Sequence, residues 1–208
     1  MIVKRLVVGP LQENTYIVGD EATKQAMIID PGDEPDRILD EIKANGLEIS
    51  AIIFTHAHFD HIGAAGDLKK ETGAKIFMHK NDKETYSLAK DQAAFWGFEI
   101  DDIPMPDEFI NEGDEVQVGN LNFKVMHTPG HSKGSICLVG EGIVLTGDTI
   151  FQGSVGRTDF PGGSIDELRK SFTRLIELPE EMQILSGHGP ETTVGREKRE
   201  NFFVGELR

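Results

Sequence analysis

With one cysteine in 208 residues, Cys137, the chain can form no internal disulfide, and burial has to supply its stability. That poverty suits a reducing compartment, so the cytoplasm is the expected location. No apolar run approaches the roughly 20 residues that span a bilayer, and no membrane partner is expected. The opening segment MIVKRLVVGP interrupts its apolar stretch with Lys4 and Arg5. It reads as a poor secretion signal and a reasonable first strand. Positive charge is also scarce: 21 Lys and Arg face 36 Asp and Glu, leaving a formal −15. A polyphosphate would meet repulsion before contact, so no nucleic-acid partner is expected, although a local basic pocket is not excluded. Gly/Ser linkers and blocks of like charge are missing too. A chain of this length, 38% apolar, suits one domain over 1–208 with a substantial core.

The patterns that are present alternate between strand and helix. Strands are expected at 2–8, 14–19 and 25–30, and the spacing of Ile38, Leu39 and Ile42 predicts a helix over 33–45 closed by Gly46. Ala51 to Phe54 is a short, wholly apolar run, the mark of a buried strand. Helices are expected at 62–72 and 81–95, around a strand at 75–78. After a Pro- and Asp-rich stretch (101–114), strands follow at 115–118, 121–126, 135–139 and 142–146. A helix over 164–177 starts at Ser164 with Glu167 three residues on, the spacing of a capping box. The last apolar strand is 182–185. Two halves of strands plus helices hint at an internal duplication, without a residue-level repeat. Phe202, Phe203 and Val204 form an apolar patch that either closes the fold or meets a second subunit, so monomer and homodimer both stay open.

Six of the seven histidines fall in three short polar loops, each directly after a strand-like run: Thr55-His56-Ala57-His58-Phe59-Asp60-His61, His127-Thr128-Pro129-Gly130-His131, and Ser186-Gly187-His188-Gly189-Pro190. Asp148, in Leu145-Thr146-Gly147-Asp148-Thr149, occupies another strand end. A lone histidine at a strand end is usually structural, and His79 is read that way. His127 is assigned a supporting or structural role. Four ligand-type residues within six positions, flush against a buried strand, are hard to explain as packing. Imidazole and carboxylate are the ligands of zinc and other borderline divalent metals. His56 and His58 can aim at one point, and Asp60 and His61 at a neighbouring one.

These stretches, THAHFDH, TPGHSKGS, LTGDTIF and SGHGPETT, resemble the metallo-β-lactamase superfamily and, within it, the glyoxalase II-like hydrolases. The resemblance implies an α/β fold, a four-layer αβ/βα sandwich with two metals at one edge of the paired sheets. It implies that His56, His58 and His131 hold the first ion and that Asp60, His61 and His188 hold the second, with Asp148 bridging. The ions would be divalent, zinc first, with iron or manganese as alternatives. The implied reaction is hydrolysis of a small-molecule acyl thioester of the S-lactoyl-thiol type through a metal-bridging hydroxide, with Asp60 and Asp148 as the catalytic carboxylates. A thiolate, with a parent pKa of about 8.5, can leave without a general acid. GRTDFPGG and GHGPETT are similar to a short, single-domain subgroup. Only 20 residues follow His188, too few for the helical glutathione-binding domain of the larger enzymes.

The glycine-rich segment 153–163 is either a flexible connection or a substrate loop over the metals. On the second reading Arg157 meets a carboxylate of the thiol carrier bidentately. Cys137 lies in a strand-like run and reads as core, not nucleophile, and no serine triad is recognisable. Other chemistries share the ligands. A mononuclear-iron persulfide dioxygenase would use His56, His131 and Asp148, but its family resembles Ala-His-Asp-Tyr where this chain has Gly187-His188-Gly189-Pro190. A nuclease is disfavoured by the acidic balance, and β-lactam hydrolysis by the poor secretion signal and by aspartate at 148, where a cysteine is common in one major class. A scaffold without activity would be expected to have lost ligands.

Overall fold

Strands whose apolar side chains alternate between two faces need cover on both, and that requirement sets the layering. The structure, a computed structural model, describes residues 1–207. Its first sheet runs β1 (Ile2–Val8), β2 (Glu13–Gly19), β3 (Gln25–Ile29), β4 (Glu48–Ile53), β5 (Lys75–His79), β6 (Glu108–Ile110). The first three strands are antiparallel, and β3 to β6 are parallel. The second sheet starts with the antiparallel β7 (Glu115–Val118), β8 (Leu121–His127), β9 (Ile136–Gly140) and β10 (Ile143–Gly147). A small hairpin, β11 (Ile150–Phe151) and β12 (Ser154–Val155), follows. Then β13 (Gln183–Ser186) returns parallel to β10, with β14 (Thr192–Thr193) at the edge.

Between the sheets, Met27, Ile29 and Ile53 meet Phe123, Val125, Leu138 and Leu145. Their neighbours Ile28 and Ile52 point outward, to Ile38 and Ile42 of α1 (Pro35–Asn45) and, past the short α2 (Phe59–Ile62), to Leu68 of α3 (Ala65–Thr72). The same layer carries α4 (Lys83–Ser87) and α5 (Ala89–Phe95). On the opposite face, Val144 and Ile184 pack on Leu168, Phe172 and Leu175 of α6 (Ile165–Ile176), beside α7 (Val194–Glu200). The result is the expected helix–sheet–sheet–helix sandwich. Ser164 caps α6, its hydroxyl accepting the Glu167 N–H at 3.3 Å.

Several expectations need adjusting. The helix expected over 81–95 is two, broken at Leu88, and the one over 62–72 is preceded by the separate turn of α2. The strand β6 lies inside the Pro- and Asp-rich stretch, and β14 and the β11–β12 hairpin are also new; two or three residues carry no readable period. The C-terminal patch divides: Phe203 is buried against Phe172, with ring centroids 5.2 Å apart, while Phe202 is 61% exposed. No helix among the described residues is long and apolar enough to cross a membrane.

Strand direction is what gathers the site. Alternating antiparallel pairing makes β8 run with β10, and β13 is parallel to β10. The loops following these three strands therefore open at one edge of the second sheet. The loop after β4 faces them from the first.

Candidate metal centre

Donor atoms of His56, His58 and His131 lie within 4.8 Å of one another, and so do those of Asp60, His61 and His188. Asp148 stands between the two groups. Its Oδ1 is 3.4 Å from His61 Nε2, and its Oδ2 is 3.6 Å from His131 Nε2 and 3.7 Å from His188 Nε2. Asp60 Oδ2 is 3.4 Å from His188 Nε2 and 3.8 Å from His61 Nε2. All seven residues expected from the sequence converge on one place.

Surrounding hydrogen bonds orient the imidazoles. Asp30 adopts a left-handed backbone (φ 51°), which aspartate tolerates better than most residues. Its carboxylate accepts the Thr55 N–H (2.6 Å), the Thr55 hydroxyl (2.5 Å) and His61 Nδ1–H (3.1 Å). With its hydrogen committed to Asp30, Thr55 Oγ1 can accept from His56 Nδ1 at 3.2 Å. His131 Nδ1 donates to the Arg157 carbonyl at 2.8 Å. In each of these rings Nδ1 is thus occupied, and Nε2 is left facing the centre. Close packing excludes side chains here: a Cβ at Gly187 would lie 2.3 Å from Asp148 Oδ1, and one at Gly147 (φ 47°) 2.1 Å from Thr55 Oγ1.

The donor set fits divalent cations. His56 Nε2, His61 Nε2 and Asp148 Oδ1 are buried without any hydrogen-bond partner, a state costing about 1–3 kcal/mol per group. His58 Nδ1 and His131 Nε2 approach to 2.8 Å, which calls for a shared proton or cation between them. Burial, reinforced by neighbouring histidines, holds His56 well below its ordinary pKa and brings His58 down to about 3, so both offer lone pairs at neutral pH. Burial works against charge on Asp60 and Asp148, but the facing imidazoles outweigh it and both carboxyls titrate below their usual range. Burial likewise opposes protonation of His61 and His188, and the same two carboxylates overcome it, raising both. The carboxylates thus demand positive charge at the place where the orphaned lone pairs converge.

The family model described as the Metallo-beta-lactamase superfamily matches residues 8–188. The chain belongs to that superfamily. It is 37% identical to a Haemophilus influenzae protein named hydroxyacylglutathione hydrolase GloC, over 98% of each chain. The crystal structure of the BLEG-1 B3 metallo-beta-lactamase superposes with a TM-score of 0.91 at 33% identity, covering 98% of this chain and 99% of that one. A structure of TTHA1623 in a di-iron-bound form gives 0.90 at 40% identity, covering 96% and 99%.

In this superfamily member a cleft of about 770 Å³ opens over the donors. Arg157 lines it, but Nε and one terminal nitrogen of its guanidinium each meet an Asp159 carboxylate oxygen at 2.7 Å. The guanidinium also lies 3.8 Å from the Phe160 ring centroid. His127 and His79 stack with centroids 4.1 Å apart and do not line the cleft, in keeping with structural roles. Cys137 is fully buried.

Sequence reasoning missed the supports. Asp82 is fully buried, and its carboxylate accepts from Ala57 N–H (2.9 Å), Ser132 Oγ–H (2.9 Å) and Gly134 N–H (2.6 Å). It therefore ties the loop bearing His56 and His58 to the loop bearing His131. Burial pushes its carboxyl up. Asp30, Thr55 and the Arg157 carbonyl were likewise not singled out. Two of these are common side chains and one is backbone, so no local signal marks them.

Proposed function

We propose that the protein hydrolyses acyl thioesters at a two-metal centre. The observation that carries this is Asp148, whose two oxygens face both donor groups. His56, His58 and His131 would hold one ion, Asp60, His61 and His188 the other, and Asp148 would touch both. A pair of divalent cations, when bound, lowers the pKa of water toward neutrality and polarises a carbonyl. Zinc is the proposed metal, as a set of imidazoles and carboxylates suits it; the di-iron form of TTHA1623 makes iron the first alternative.

The chain's own residues supply the rest. Asp60 faces His61 and His188 through Oδ2 and has a second oxygen to accept a proton from attacking water. Among the described residues the cleft has no histidine outside the donor set, and its other titratable residues are Glu84, Asp91, Lys133 and Arg157. Lys133 is paired with Glu84 at 3.0 Å. A substrate whose leaving group departs unprotonated suits such a site, and a thiolate meets that condition. The likeness to the Haemophilus hydroxyacylglutathione hydrolase, over nearly the whole of both chains, supports the same choice. The lone buried Cys137 suits a reducing compartment, and the cytoplasm is the proposed location.

The test is release of free thiol from a panel of acyl thioesters, S-lactoylglutathione included, by metal-replete protein. Turnover should vanish on chelation and in His56→Ala. Failure of metal-replete protein to cleave any thioester would overturn the reading.

A further inference from the structure

The helix bordering the cleft is built the wrong way round for folding alone. In α5 the buried residues are Ala89 and Ala93, while the larger apolar groups beside them stay in water: Phe95 is 82% exposed, Trp96 49% and Leu88 41%. A helix chosen only for core packing buries its large side chains and exposes polar ones. Here Leu88, Phe95 and Trp96 instead line the cleft over the donors. Across it stands Phe160. The rings form a continuous edge-to-face series: His58 to Phe160 at 5.6 Å, Phe160 to Trp96 at 6.4 Å, Trp96 to Phe95 at 5.6 Å. An apolar wall thus runs without a break from a candidate ligand of the first ion to solvent.

Charge points the same way. Among the described residues, the two cations lining the cleft are already engaged, Lys133 by Glu84 and Arg157 by both oxygens of Asp159. Asp91 adds a negative charge to the lining, and the chain carries −15. A carrier rich in carboxylates or phosphates would have to displace existing ion pairs, whereas an apolar chain gains from covering exposed rings.

We infer that the wall formed by Leu88, Phe95, Trp96 and Phe160 is a binding subsite for an extended apolar group. The preferred substrate is then a thioester with a medium-length alkyl or aryl group and a carrier without net negative charge. The inference rests on the thioester reading for the reaction, but occupancy of the wall can be measured without turnover.

Trp96 is the only tryptophan, so its emission reports the wall directly. Metal-replete protein would be titrated with uncleavable thioethers: S-ethyl to S-octyl N-acetylcysteamine, and S-octylglutathione. The Kd should fall about two- to fourfold per added methylene, and the neutral octyl ligand should bind more tightly than its glutathione counterpart. Phe95→Ser, at an exposed position, should weaken the octyl ligand about fivefold or more and leave the ethyl ligand unchanged. A Kd independent of chain length, absence of any spectral response, or tighter binding of the glutathione adduct would overturn the assignment. So would a concentration-dependent emission shift without ligand accompanied by a dimer in sedimentation, which would give the wall to a second copy. Chain-length-dependent binding by a protein that cleaves no thioester would uphold the subsite and sink the thioester reading instead.

Discussion

The floor and the wall of the cleft follow opposite rules. The floor is largely buried and polar, and three of its histidines are oriented by a second residue: His61 by Asp30, His56 by Thr55, His131 by the Arg157 carbonyl. The wall is apolar and largely exposed, and its Leu88, Phe95 and Trp96 part, along α5, is backed by small residues, Ala89 and Ala93. A floor built this way concentrates cost in unpaired donors, and only a cation relieves it. The wall leaves apolar area in water, and only an apolar partner covers it. Substitutions in the floor should therefore act on metal and chemistry, and those in the wall on binding of one part of the substrate.

Asp148→Ala should have the largest effect, because it removes the one residue that faces both donor groups. Both ions should be lost or greatly weakened, with thioesterase activity down about a thousandfold or more. Full metal content by elemental analysis of the folded variant would remove the bridging role.

Asp82→Ala comes next. It touches no donor atom, yet three hydrogen bonds joining the two histidine loops disappear. Metal affinity should fall about 10- to 100-fold in chelator competition, the range for residues that support ligands, and Asp82→Asn should recover part of it. Unchanged affinity in folded Asp82→Ala would show that the loops hold their places without this tie.

What the sequence made legible follows the same division. His56, His58, Asp60 and His61 announce themselves because four ligand types share six positions. His131, Asp148 and His188 are each isolated and became readable through strand ends and family resemblance. Asp82 and Asp30 were not legible: each acts on a loop 25 residues away in the chain, a separation that no local pattern reveals. The wall escaped for another reason. An uninterrupted helix over 81–95 has no face assigned to the cleft, and the break at Leu88 separates α4 from α5. The long strands and α6 were legible because their periods extend over enough residues, whereas β6 and β14 are too short to show one.

Smaller effects sharpen the comparison at its border. Arg157→Ala should change kcat/KM only about two- to fivefold, because its guanidinium is already held by Asp159 and such exposed pairs contribute little. The change should be similar for neutral and anionic thioesters. A KM increase confined to anionic substrates would instead show that the guanidinium leaves Asp159 to meet the carrier. Cys137 should be silent: burial pushes its thiol up to about 12, so native protein at pH 8 should resist thiol reagents and react only as it unfolds. Rapid labelling of folded protein would contradict its place in the core.

The seven donors are proposed to hold two ions at once. Metal content per chain, by elemental analysis of protein purified without added metal or chelator, tests it most directly. About two divalent ions per chain are expected, falling together in Asp148→Ala. One iron per chain, with the Asp60–His61–His188 group taking up no metal even when supplied, would contradict it and favour oxygen-dependent chemistry at a mononuclear site.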